Sequence, residues 1–195
     1  MFPDYSILSL QSVKIVSSVD GGFLFANEET IARCKKQRWF GIDRFNRDSE
    51  KTWEYDIEES GYKYHMNDTL SSIGAANFKY LPSLYEHNRT IANIYTSNLP
   101  EEILIKEREN SKSNYWMYTI LVENRAGLIR KLKENGIGYG IGHNDNRTYS
   151  CITNSVGRYL PGVDTFYKNH LILPMHFDVT EENAKLIVKT INNGW

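Results

Sequence analysis

Apolar positions along the 195-residue chain follow three successive patterns. Residues 5–16 form an apolar, β-rich run broken by Ser9, Gln11, Ser12 and Lys14. Ser17-Ser-Val-Asp-Gly-Gly22 then reads as a turn, and Gly22–Ala26 as the returning strand. Such a hairpin is marginal in water unless a sheet or helix covers it. Asn27 followed by Glu28 and Glu29 predicts a helix start, with Asn27 as N-cap and acids in the first turn, running to about Arg38. Residues 39–60 are charged, aromatic and aperiodic, and a connection of that length is usually functional or held by a neighbour.

The second pattern is helical. Asn67 or Asp68 caps a stretch containing Leu70, Ile73, Ala76 and Asn77, which resumes after Pro82 through Leu84, Tyr85, Ile91, Ile94 and Tyr95. Pro82 marks a kink or a break, because proline lacks the amide that an interior turn needs. Asn98-Leu-Pro100 ends the stretch, and the polar crossover 101–114 sets the expected domain boundary, with units 1–100 and 101–195. Beyond it the pattern becomes α+β. Trp116–Val122 reads as a strand, 125–135 as a helix closed by Gly136, 137–142 as a glycine-rich strand and 143–158 as a polar loop. A short helix near 162–168, the strand Leu171–Met175 and a final helix 180–192 capped by Thr180 complete the chain. There is no internal repeat.

Composition narrows the function classes. Hydrophobic residues make up 41% and charged residues 24%, ordinary for a globular protein, so an ordered core is expected. The formal net charge is −1 with basic residues scattered, which leaves no footprint for a nucleic-acid partner. No apolar run approaches the roughly 18 residues of a transmembrane helix, and Met1-Phe-Pro-Asp-Tyr5 does not open a signal peptide, so no membrane partner and a cytoplasmic location are expected. The sequons at Asn67, Asn88 and Asn146 are then chance matches. Cys34 and Cys151 lack any metal-ligand spacing; they read as reduced, partly buried thiols, and no metal site is expected.

Lys14 is a cation within an apolar run. One reading is a strand-end lysine reaching water with its head group. The other is a desolvated nucleophile, since an ordinary lysine, with a pKa of about 10.4, is protonated at neutral pH. Ser9-Leu-Gln-Ser-Val-Lys14 followed by Ser17-Ser-Val-Asp-Gly-Gly22 resembles the lysine signature of the DegT/StrS sugar aminotransferases. The resemblance implies that Lys14 holds pyridoxal phosphate (PLP) and that Ser9 contacts its phosphate. A branch that dehydrates sugars has histidine at the lysine position, so Lys14 implies transamination.

Gly61-Tyr-Lys-Tyr-His-Met-Asn-Asp68 with Ile73-Gly-Ala-Ala-Asn77 resembles the family segment at the dimer interface that reaches the partner's cofactor phosphate. Lys63 stands where many members have asparagine; taken alone it reads as a surface lysine, and His65 as a partly buried or solvent histidine. Tyr62 and His65 are implied on the substrate side. Trp39-Phe-Gly-Ile-Asp-Arg44 is similar to a motif of one sub-branch, as is His143-Asn-Asp-Asn-Arg-Thr-Tyr-Ser-Cys151. Gly136-Ile-Gly-Tyr139 followed by His143 resembles the strand whose histidine lies near the sugar, although a loop histidine bonded to backbone is the alternative. Leu160-Pro-Gly-Val-Asp-Thr-Phe166, Leu171-Ile-Leu-Pro-Met-His176 and Val179-Thr-Glu-Glu182 match the family's closing, structural pattern.

The resemblance runs from about Tyr5 to about Ile191. It implies an α/β, partial PLP-transferase type I fold, namely a C-terminal remnant of the large domain with a dimer-interface helix, plus a complete α+β small domain. Family chains are roughly twice as long, and their N-terminal half supplies the acid for the pyridine nitrogen, an aromatic over the ring and a helix N-terminus for the phosphate. A truncated frame or a separate N-terminal half is therefore expected. The hairpin and the 70–98 helix should expose apolar faces, favouring an oligomer or partial disorder over 1–60. Two functions follow. One is amino transfer, usually from glutamate, to a keto-sugar nucleotide in cell-surface polysaccharide (lipopolysaccharide) or secondary-metabolite synthesis, by a homodimer. The other is a catalytically silent fragment serving assembly or binding.

Overall fold

The computed structural model describes residues 4–45, 56–155 and 159–195, and for 153–155 the backbone only. The expected tracts 39–60 and 143–158 therefore lie partly outside the described residues. The chain divides into two compact units, Met1–Leu81 and Pro82–Trp195.

In the first unit, β1 (Ser6–Ser9) pairs antiparallel with β2 (Gly22–Phe25), Ser6 opposite Phe25 and Ser9 opposite Gly22. The expected hairpin is present, but its connection spans residues 10–21, so Lys14 sits in a turn rather than on a strand. α1 (Glu28–Gln37) starts at Asn27, whose side chain accepts from the Thr30 amide at 2.8 Å. α2 (Asp68–Phe78) starts at Asn67, which accepts from the Leu70 amide at 2.9 Å. Buried apolar side chains are few here: among the described residues, Leu10 and Val16. The strands are exposed on both faces, with Ile7 81% and Phe25 57% accessible.

α3 (Leu81–Asn98) follows a break at Lys79 and Tyr80 and carries Pro82 in its first turn, where no helical amide bond is lost. The expected boundary at 101–114 differs from the division at Leu81. Ile91, Ala92 and Tyr95 of α3 belong to the core cluster of the second unit, which explains why the helix groups with it. Within the expected 70–98 stretch, an apolar face is therefore exposed in α2, at Ile73, whereas α3 buries its own.

The second unit is built on β3 (Tyr118–Leu121) paired antiparallel with β4 (His170–Leu173). Single bridges, Leu104 to Ile120 and Gly140 to Ile172, add a residue on either side. The glycine-rich segment 137–142 thus forms one bridge rather than the expected full strand. α4 (Arg125–Glu134), α5 (Pro161–Asn169) and α6 (Glu181–Asn192) accompany this sheet, α4 and α6 contributing Leu128, Leu132, Ala184, Ile187, Val188 and Ile191 to the core. Tyr95 donates to the Pro174 carbonyl at 2.9 Å, which satisfies a hydroxyl whose pKa burial pushes up. Asn88 is also buried and donates to the Asn114 and Tyr115 carbonyls at 3.2 and 3.3 Å. Cys34 is partly buried as expected, but Cys151, expected to be partly buried too, is exposed because it lies in the polar loop. No helix among the described residues is long and apolar enough to cross a membrane.

Candidate functional site

Ser9 ends β1 and Lys14 lies five residues on in the connection, half-buried. The loop closes on itself through backbone bonds: Leu10 N to Gly21 O at 3.0 Å, Lys14 N to Gln11 O at 2.9 Å and Ser18 N to Leu10 O at 2.9 Å. Leu10 and Ser18 are its buried anchors, and the Ser18 hydroxyl donates to the Asp20 carbonyl at 2.6 Å. Among the described residues, Ser9 Oγ accepts only a long bond, from the Gln11 amide at 3.4 Å. Gly21 adopts φ +114°, a conformation that favours glycine, and a side chain there would also have to push aside the end of Met66. α2 braces the other side: Asn77 Nδ2 donates to the Ser17 carbonyl at 2.8 Å, and a Cβ on Gly74 would lie 3.0 Å from Ser18 Cβ. Gly74 and Asn77, three apart on one helix face, are supporting residues whose role sequence reasoning did not assign; their spacing was the available signal.

Tyr62, Lys63 and His65 share a second segment of the same unit. Tyr62 N donates to Gln37 O at 2.7 Å, Phe40 N to Tyr62 O at 3.0 Å and Tyr64 N to Arg38 O at 2.9 Å, and Trp39 bridges Lys63. This clamp brings the 39–44 and 61–68 motifs together in the fold. Trp39 is its hub, with the His65 ring edge-on at 4.2 Å, the Arg44 guanidinium 4.7 Å above the indole and Lys63 Nζ at 5.8 Å. Tyr62 and Tyr64 stack at 4.9 Å and are both exposed. Glu59 ties the clamp to α1 through Arg33, at 2.9 and 2.6 Å, and Gln37 at 2.8 Å. Met66 joins this segment to the Lys14 loop by its contact with Gly21.

His143 belongs to the second unit and is exposed at the start of the loop to residue 155. Its flanks are held. Gly142 N donates to His170 Nε2 at 2.9 Å, and Tyr167 Oη donates to Asn144 Oδ1 at 2.6 Å. Arg147 bonds Asp145 through Nε at 2.9 and 3.0 Å and also pairs with Asp164 of α5. The Arg147 guanidinium holds the Asp145 carboxyl below the usual aspartate range. A separate cleft of about 490 Å³ opens between residues 135–140, 172–179 and α6. Among the described residues no group of three or more His, Cys, Asp or Glu side chains could hold a metal ion.

The profile of the DegT/DnrJ/EryC1/StrS aminotransferase family matches residues 1–192. A UDP-4-amino-4,6-dideoxy-N-acetyl-beta-L-altrosamine transaminase of Campylobacter jejuni is 29% identical over 96% of this chain and 51% of its own. The crystal structure of the sugar aminotransferase CalS13 from Micromonospora echinospora matches at 28% identity with a TM-score of 0.89, over 98% of this chain and 52% of that one. The PLP form of Spr1654 from Streptococcus pneumoniae shares the fold at 24% identity and a TM-score of 0.82, over 97% of this chain and 51% of its own. The chain therefore spans about half the length of the curated relatives it matches.

Proposed function

We propose, from the premise that this chain belongs to the DegT/DnrJ/EryC1/StrS aminotransferase family, that it is the lysine-bearing part of a PLP-dependent sugar aminotransferase. The reaction moves an amino group from an amino acid, glutamate being the expected donor, to a keto-sugar nucleotide. The observation that carries this reading is Lys14 with Ser9 in one braced loop. A half-buried primary amine suits the cofactor's carbonyl carbon, and a hydroxyl held by one long bond can donate to a phosphate oxygen. The donor set thus fits PLP at these two points, and Lys63 offers a second phosphate contact.

When bound, PLP supplies the electron sink for breaking the donor's Cα–H bond. Lys14 Nζ would tether the cofactor and, once the donor amine had displaced it, would be free to move the proton from that carbon. Ser9 would orient the phosphate through its hydroxyl, and Lys63 would bring positive charge to the phosphate of the partner subunit's site. Tyr62, His65 and His143 are read as sugar-side contacts, and the working form as a homodimer in the cytoplasm, acting in cell-surface polysaccharide or secondary-metabolite synthesis. The Campylobacter relative, named for a UDP-linked amino sugar, supports a nucleotide-linked substrate.

The competing reading is a catalytically silent assembly or binding module, because a shared fold does not by itself carry the reaction. The test is PLP titration of the 195-residue chain, followed by borohydride reduction and peptide mapping. A single reduced adduct on Lys14, lost in Lys14→Ala, is the expected outcome. Labelling spread over surface lysines and unchanged in Lys14→Ala would favour the silent module.

A further inference from the structure

The His143 loop is gripped by one face of α5 and the first residue of β4. Asp164, Tyr167 and His170 are spaced by three and so line one stripe of the helix and its end. Asp164 takes Arg147, Tyr167 takes Asn144 and His170 takes the Gly142 amide. His170 differs from the other two in being 1% exposed. The Phe166 ring stacks flat against its imidazole, with centroids 4.8 Å apart and planes within 1°, and Tyr167 adds a tilted contact at 5.8 Å. Gly142 N–H can only donate, so Nε2 is the acceptor; Nδ1 then carries the proton and donates to the Phe166 carbonyl at 3.0 Å. Both ring nitrogens are therefore committed. A Cβ at position 142 would lie 3.3 Å from Nε2, a close approach that the ring would have to ease.

Burying an imidazole at a strand start, where an apolar side chain would fill the same space, costs desolvation that its two bonds must offset. What the histidine adds is a side-chain acceptor for a backbone amide 28 residues earlier in the chain and next to His143. We infer that His170 is a positioning residue: its Nε2 latches the Gly142 amide and so fixes the start of the loop that presents His143. The importance of this latch for the reaction rests on the sugar-side reading of His143 given above. The latch itself does not.

The test uses the full chain labelled with nitrogen-15. In the wild type, a 15N–15N coupling across the hydrogen bond should connect Gly142 N with His170 Nε2; its absence in a folded sample overturns the latch. His170→Gln and His170→Asn then separate latching from filling. Both lose the ring, but the Gln amide group reaches the Nε2 position, whereas the Asn amide reaches only that of Nδ1. Gly142 amide exchange should stay slow in His170→Gln and rise about tenfold in His170→Asn, the scale of one lost hydrogen bond. The His143 Cε1–H signal should move only in the Asn variant. Equal change in both variants, with the exchange of Ile120 and Leu171 as the reference for global opening, would assign His170 to packing alone and sink the proposal. The reduced PLP adduct at Lys14, measured on the same samples, reports separately on the cofactor reading.

Discussion

Asp145 and Arg147 show how two residues two apart in sequence can set a loop's response to pH. The Asp145 carboxylate accepts from the Arg147 amide at 2.9 Å as well as from its guanidinium. These bonds favour the charged form, so the folded-state pKa lies below the unfolded one. A depressed carboxyl contributes its stability in full above the ordinary aspartate range, near about 3.9, and loses it as pH falls through the depressed value. Acidification should therefore loosen the 143–148 segment only below the ordinary range. Carbon-13 titration of Asp145 checks this, and Arg147→Ala should return its midpoint toward the ordinary value. The motif His143–Cys151 was legible as a unit, yet the partner Asp164 was not, because that pair depends on where α5 lies.

At the scale of elements, local chemistry carried most of the information. Asn27 and Thr180 were legible as N-caps, and Asn67 as one of two candidates with Asp68; each of Asn27, Asn67 and Thr180 accepts from the backbone of its own first turn. In α6 the cap is reciprocal: Thr180 Oγ1 accepts from Asn183 N at 3.2 Å, while Asn183 Oδ1 accepts from Thr180 N at 3.0 Å. Thr180→Ala should cost about 1 kcal/mol of stability to thermal or denaturant unfolding. Thr180→Asn should restore most of it. The strands were less legible. Residues 10–16 continue the apolar character of β1 but turn away from it, because Leu10 is drawn inward and bonded to Gly21 and Ser18. Segment 137–142 pairs at Gly140 alone, since Gly138 and Gly142 offer no side chain to hold an extended ladder.

The two units differ as whole bodies. The second has a contiguous core of nineteen buried apolar residues, whereas the first buries only Leu10 and Val16 among the described residues. Ile7, Phe23, Leu24 and Phe25 remain accessible on the hairpin, as its lone two-stranded pattern led us to expect. Clustered apolar exposure of this kind drives association. The chain should therefore self-associate in sedimentation, and Ile7→Ser with Phe25→Ser should weaken that association while leaving the melting temperature unchanged. A fall in melting temperature as large as that from Leu10→Ala would show instead that the hairpin face is already covered.

Helix starts, the glycine turn at 17–22 and the order of the family motifs were readable from residues because each depends on neighbours within a few positions: a cap needs one side chain and a turn needs its glycines. The turn at Lys14 was not, since residues 10–16 carry the apolar pattern of a strand. That is why the lysine signature, the 61–68 segment and the closing pattern could be recognised together. The grip on those features belongs to the fold. Asn77 meets Ser17 across 60 residues, Trp39 meets Lys63 and His65, and His170 meets Gly142. No periodicity encodes such pairs, since they arise only when helices and strands have packed and their remaining donors and acceptors must find partners.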